Sequence, residues 1–138
     1  MKLLGLLITF SLLSFGLFGQ TETDSVEHFP QAQKYVEQLA EFPGGQTALT
    51  KYLAENIVYP ENAIKNNIEG TVYIRFIISN KGIISNIRIV QGIPECYQCS
   101  EEVIKVYKKM PRWKPALLNG KKVTSYYNSK VNFKLENP

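Results

Sequence analysis

Apolar residues recur at two different periods along this chain, and the switch between periods marks out its elements. After the break Phe42-Pro43-Gly44-Gly45, Leu49, Tyr52, Leu53, Asn56 and Ile57 fall at helical spacing and predict a helix of about three turns. Tyr59-Pro60 ends that stretch and opens a short helix, since proline at a first helical turn loses no hydrogen bond. Ala63 and Ile64 are expected to face inward, and Asn66-Asn67 supplies a left-handed stop. From Gly70 the period becomes two. Val72, Ile74, Phe76 and Ile78 alternate with Thr71, Tyr73, Arg75 and Ile77, which predicts a strand. Asn80-Lys81-Gly82 reads as a hairpin connection with Gly82 at positive φ. The returning strand, Ile83 to Gln91, changes parity: Ile84 and Val90 are even, Ile87 and Ile89 odd. Either both of its faces are partly covered, or a bulge falls near Ser85-Asn86.

A third helix is expected from Ser100 as N-cap, with Glu101 and Glu102 in its first turn and Val103, Ile104, Tyr107 and Met110 as its buried stripe. Pro111 stops it. Beyond the Leu118-Asn119-Gly120 turn, a last strand runs from Val123 to Leu135. Val123, Ser125, Tyr127, Ser129, Val131, Phe133 and Leu135 share one face; Thr124, Tyr126, Asn128, Lys130, Asn132 and Lys134 share the other. The order helix, short helix, strand, strand, helix, strand predicts an α+β domain: a small antiparallel three-stranded sheet with helices packed on one face. Three strands leave two open edges.

The start of the chain changes where this domain is expected to work. Leu3 to Phe18 is uncharged and mostly apolar, behind Lys2 and ahead of small Gly19. Its sixteen residues reach roughly 24 Å as a helix, short of the roughly 30 Å hydrocarbon core. Residues 1–19 therefore read as a cleaved signal peptide rather than an inner-membrane anchor, and the product as periplasmic. Residues 20–41 read as an acidic linker, with one amphipathic turn available at Tyr35, Val36 and Leu39. Residues 42–138 form the expected domain.

Charge is divided accordingly. Residues 20–43 carry five acids against one base, and residues 44–138 carry seven acids against fourteen bases, within a total of +4. A basic domain suits acidic partners or an anionic envelope surface; an exported one does not call for nucleic acid. The only cysteines, Cys96 and Cys99, stand close enough in sequence to form a disulfide in an oxidising compartment.

Several short matches then occur in order. They are Glu41-Phe42-Pro43-Gly44-Gly45, Tyr59-Pro60 followed by Ala63, Glu69-Gly70 before Val72, Lys81-Gly82, Gly92, Met110-Pro111-Arg112-Trp113-Lys114-Pro115, Asn119-Gly120-Lys121 and Asn132-Phe133-Lys134-Leu135. With these, the stretch from Phe42 to Leu135 resembles the TonB C-terminal domain family, in the stand-alone periplasmic form of a Bacteroidetes type. The resemblance implies a non-enzymatic binding domain linked to transmembrane transport. Its implied partner is the TonB box of an outer-membrane TonB-dependent transporter, added as a strand along Val123, Ser125, Tyr126, Tyr127, Asn128, Ser129, Lys130, Val131 and Asn132. The chain departs from energy-transducing relatives in having no long Pro-rich spacer.

Other readings attach to particular residues. The same edge would serve a homodimer or an envelope or peptidoglycan contact, and lysines on it also protect against aggregation. Trp113, between Pro111 and Pro115, is expected as a core plug in preference to a recognition aromatic. Cys96-Tyr97-Gln98-Cys99 ahead of a helix admits a thiol-disulfide oxidoreductase, although no βαβ pattern precedes it. His28 is the sole histidine, so neither a Ser/His/Asp set nor a metal site is arguable. No catalytic residue and no cofactor are expected.

Overall fold

A computed structural model describes residues 32–136. The expected signal peptide, the first part of the linker and His28 lie outside the described residues. The elements are α1 (Gly45–Asn56), α2 (Glu61–Lys65), β1 (Gly70–Ile78), β2 (Ile84–Gln91), α3 (Tyr97–Lys108), β3 (Ala116–Leu118), β4 (Lys121–Val123) and β5 (Ser125–Phe133). The main sheet has three strands in the order β2-β1-β5, all antiparallel, and β3 and β4 form a separate two-stranded ribbon. This is the α+β arrangement that the alternation of periods predicts.

Central strand β1 organises the layer. Val72, Ile74, Phe76 and Ile78 are buried on one face, where they meet Leu49 of α1 and Val103 and Tyr107 of α3 in a single core cluster. Burying a side chain of this size contributes about 1.5–3 kcal/mol. The aromatic residues lock together: Phe76 lies 5.2 Å from Tyr107 and 5.5 Å from Trp113, and Trp113 lies 4.9 Å from Tyr127 of β5. Trp113 is only 3% exposed, which settles it as the plug under the sheet. Its backbone N–H donates to Gly82 O at 2.9 Å. Gly82 has φ +81, and a Cβ there would stand 2.0 Å from Trp113 O. The hairpin therefore needs glycine twice over, for its backbone angle and for its clearance.

The parity change in β2 is a bulge. Pairing with β1 shifts between Arg75–Arg88 and Ile77–Ser85, and again between Tyr73–Gln91 and Ile74–Ile89. Asn86, within the first shift, has φ 54. By contrast β1 and β5 pair continuously from Gly70↔Phe133 to Ile78↔Ser125.

Four expectations are revised. The α3 helix starts at Tyr97, not after Ser100: Cys96 is its N-cap, with the sulfur accepting from the Cys99 N–H at 3.1 Å. Ile64 of α2 is 47% exposed, because five residues make barely more than one turn and only Ala63 reaches the core. The expected last strand is divided. Val123 belongs to β4 and pairs with Ala116 across a turn at Asn119 (φ 52) and Gly120 (φ 72), the left-handed pair that a two-residue hairpin needs. Finally, Tyr35, Val36 and Leu39 form no helical turn. Residues 33–41 instead run extended over the domain, bridging Gln33 to Ser125, Gln38 to Leu117 and Glu41 to Lys114.

Candidate docking edge

The outer edge of β5 is built by strict alternation. Gln33 N–H donates to Thr124 O at 2.8 Å, and Tyr126 N–H donates to Gln33 O at 3.4 Å. The backbone groups of Thr124 and Tyr126 therefore point away from β1. Successive residues of a strand point their N–H and C=O to opposite sides. Asn128, Lys130 and Asn132 consequently turn theirs outward as well, while Tyr127, Ser129, Val131 and Phe133 pair with β1. Gln33 covers the beginning of this edge and leaves the stretch around Asn128, Lys130 and Asn132 beyond its reach.

Side chains follow the same parity. Ser125, Val131 and Phe133 are buried toward the helices. Tyr126, Asn128, Lys130 and Asn132 are exposed on the uncovered face of the sheet. Neighbours from β1 orient two of them. Thr71 Oγ1 donates to Asn132 Oδ1 at 2.8 Å, and Arg75 Nε donates to Asn128 Oδ1 at 3.0 Å. The Arg75 guanidinium also lies 5.4 Å from the Tyr126 ring centre. With their oxygens engaged, the amide groups of Asn128 and Asn132 present N–H donors to the open face.

Two hollows border the free stretch, one on each side of the sheet plane. On the helix side, Leu49, Leu53 and Ile57 of α1 and its exit face Val131 and Phe133 across a groove of about 400 Å³. On the open side, Lys34, Tyr35 and Leu39 of the extended segment face Arg75, Tyr126 and Asn128 across about 570 Å³. The apolar wall of the first groove depends on the Gly44-Gly45 turn, whose φ values of 89 and 86 deliver α1 alongside β5.

The strand is anchored beneath. Tyr107 Oη and Ser129 Oγ share a hydrogen bond of 2.7 Å, tying α3 to β5. Burial pushes the Tyr107 hydroxyl up to about 12, against the lowering effect of that bond. Tyr127 is raised by burial and by the nearby Glu41 carboxylate.

Of the residues the sequence singled out, Ser125 through Asn132 lie together on β5, and Val123 does not share that strand. Cys96 and Cys99 form a disulfide with Cα atoms 5.3 Å apart, away from this edge at the start of α3. The two residues are 5% and 0% exposed, a burial unlike the accessible thiols that exchange favours. Among the described residues no group of His, Cys, Asp or Glu stands ready to hold a metal ion, and no helix is long and apolar enough to cross a membrane. Residues 33–41 and the α1 wall of the groove belong to the site but carried no sequence signal for it. The bridges of residues 33–41 are made by backbone groups, which leave no period in the side chains.

Known proteins share parts of this chain. Residues 55–135 match the family described as Gram-negative bacterial TonB protein C-terminal. The solution structure of the Pseudomonas aeruginosa TonB C-terminal domain is 31% identical over 59% of this chain and 80% of that one, with a TM-score of 0.48. That of the Helicobacter pylori TonB C-terminal domain is 17% identical over 67% of this chain and 81% of that one, with a TM-score of 0.47. No curated protein matches.

Proposed function

Because the chain belongs to the TonB C-terminal family, we propose that it is a periplasmic binding domain that docks an extended peptide by strand addition to β5. The TonB box of an outer-membrane TonB-dependent transporter is the intended occupant, and the role is linked to transmembrane transport rather than to catalysis. The observation that carries this reading is the outward backbone of Asn128, Lys130 and Asn132 on a strand with no register break, beside an apolar groove. Backbone bonds to an incoming strand supply affinity, and side chains entering the groove supply selectivity.

Residues 1–19 remain assigned to a signal peptide and the first part of 20–41 to a linker. Among the described residues, bridging to β5 reaches back to Gln33, ahead of the expected boundary at residue 42. Self-association through the same edge is the weaker reading. Antiparallel pairing of two β5 edges centred on the free stretch sets Lys130 beside its own copy, and like charges directly opposite are destabilising.

Titration with a TonB-box peptide is expected to shift the amide resonances of Asn128, Lys130 and Asn132 and to slow their hydrogen exchange. The amides of Ser129 and Val131, already bonded to β1, should be protected before peptide is added. Binding that leaves the β5 amides untouched would overturn the strand-addition reading.

A further inference from the structure

Strand addition on β5 fixes which way each side chain of the incoming segment points, and the two sides differ in chemistry. Residues directly opposite one another on paired strands project to the same face. Those opposite Asn128, Lys130 and Asn132 emerge on the open face; those between them enter the groove against α1. The groove side is mainly apolar, formed by Leu49, Leu53, Ile57, Val131 and Phe133, with Gln46, Thr50, Lys130 and Lys134 also lining it. The open side is cationic. Its sheet positions, set by pairing with Tyr73, Arg75 and Ile77, are Gln91, Arg88 and Ser85 of β2, together with Thr71 and the even residues of β5. Every charged residue among them is a base: Arg75, Arg88 and Lys130. Lys34 adds a further base across the slot from Arg75. Arg75 is held in place by Asn128 and stacked near Tyr126, so its charge is presented toward the edge with little freedom left to lose.

We propose that β5 selects a peptide whose residues alternate, apolar side chains toward α1 and carboxylates toward Arg75, Lys130 and Lys34. This deepens the strand-addition reading and rests on it. The alternation matters as much as the charge. A segment with the same composition but its acids grouped together places carboxylates in the apolar groove, where desolvation opposes them. Exposed ion pairs contribute modestly each, so the preference arises from two or three acting together, and it weakens as salt rises.

The test uses the protein without its signal peptide and three short soluble peptides. One alternates Glu and Val, one carries Lys in place of Glu, and one has the first composition with its acids in a block. In low salt the alternating acidic peptide should bind about tenfold more tightly than the lysine peptide and more tightly than the blocked isomer. Raising salt should narrow the first difference. Lys130→Glu, on an exposed side chain, should narrow it without unfolding the domain, which amide spectra would verify. Equal binding of the acidic and lysine peptides, with β5 amides shifting for both, overturns this proposal and leaves strand addition standing. Tight binding of the blocked isomer overturns it equally. Shifts confined to residues away from β5 overturn the strand-addition reading itself.

Discussion

The two outer strands of the sheet, β2 and β5, flank the same central strand and end up as opposite kinds of edge. The β2 strand loses register with β1 twice, with Asn86 turned into the left-handed region at the first break. A bulged strand twists and spaces its free backbone groups unevenly, so another strand cannot pair along it. The β5 strand keeps register over its whole nine residues and is guarded by other means: Gln33 at its start, Lys130 in its middle and α1 alongside. The difference teaches that this fold spends its irregularity on the edge it keeps closed. The edge kept regular is the one proposed to take a partner strand.

Both edges depend on one core, so the comparison breaks most severely where that core is tied to the hairpin. Gly82→Val combines positive φ with a clash against the Trp113 carbonyl, and is expected to cost at least about 3 kcal/mol in urea unfolding. Gly120 offers the control, since it has φ +72 with nothing near its missing side chain. Gly120→Ala should cost only about 1–2 kcal/mol. If the two substitutions cost the same, the close approach of Trp113 is not what makes Gly82 necessary.

Alkaline pH should loosen the β5 side through Tyr107. Its hydroxyl titrates at about 12 in the folded protein against 10.0 unfolded, so the folded state holds the proton more tightly. That contribution is complete below pH 10 and is lost as pH rises toward 12, amounting to about 3 kcal/mol. Unfolding midpoints measured across this window should fall more steeply for the native chain than for Tyr107→Phe. A parallel decline in both would assign the alkaline loss to other groups.

Lys130→Pro separates the edge from the fold. The Lys130 N–H points outward, so proline removes no bond to β1, and edge strands tolerate it there. Peptide affinity by calorimetry should drop about tenfold or more, the equivalent of one well-placed backbone bond, with the urea midpoint changing far less than in Gly82→Val. Unchanged affinity would mean that the peptide does not pair at Lys130.

Much of this was legible in the residues because it rests on side-chain period. The alternation of Val72 to Ile78 named the buried face of β1, and that of Ser125 to Phe133 gave β5 the same face. The changed parity of Ile84, Ile87 and Ile89 left a bulge near Ser85-Asn86 as one of two readings, and the pairing register decides for it while adding a second shift nearer Gln91. What escaped notice has no period to read. The three-residue strands β3 and β4 are too short to alternate. Ser100 is a better capping residue by type than Cys96, yet the sulfur caps α3 because the disulfide holds it over the Cys99 N–H. The segment from Gln33 to Glu41 buries Ala40 and packs Val36 on the core, but its path over the domain is set by main-chain bonds, which any residue except proline can make.

That last exception provides the mildest test of the comparison, aimed at Gln33, which among the described residues bonds to the outer edge of β5. Gln33→Pro removes the donor to Thr124 O and leaves the β5 sequence untouched. The loss is one exposed backbone bond, worth about 1 kcal/mol or less, so global stability should barely move. The Tyr126 amide, which donates to Gln33 O at 3.4 Å, should then exchange as fast as those of Asn128 and Lys130. A peptide long enough to reach Tyr126 should bind several-fold more tightly than to the native chain, whereas one covering only Asn128 to Asn132 should bind equally to both. Equal gains for both peptides would show that residues 33–41 restrain the whole edge and not its first turn of pairing alone.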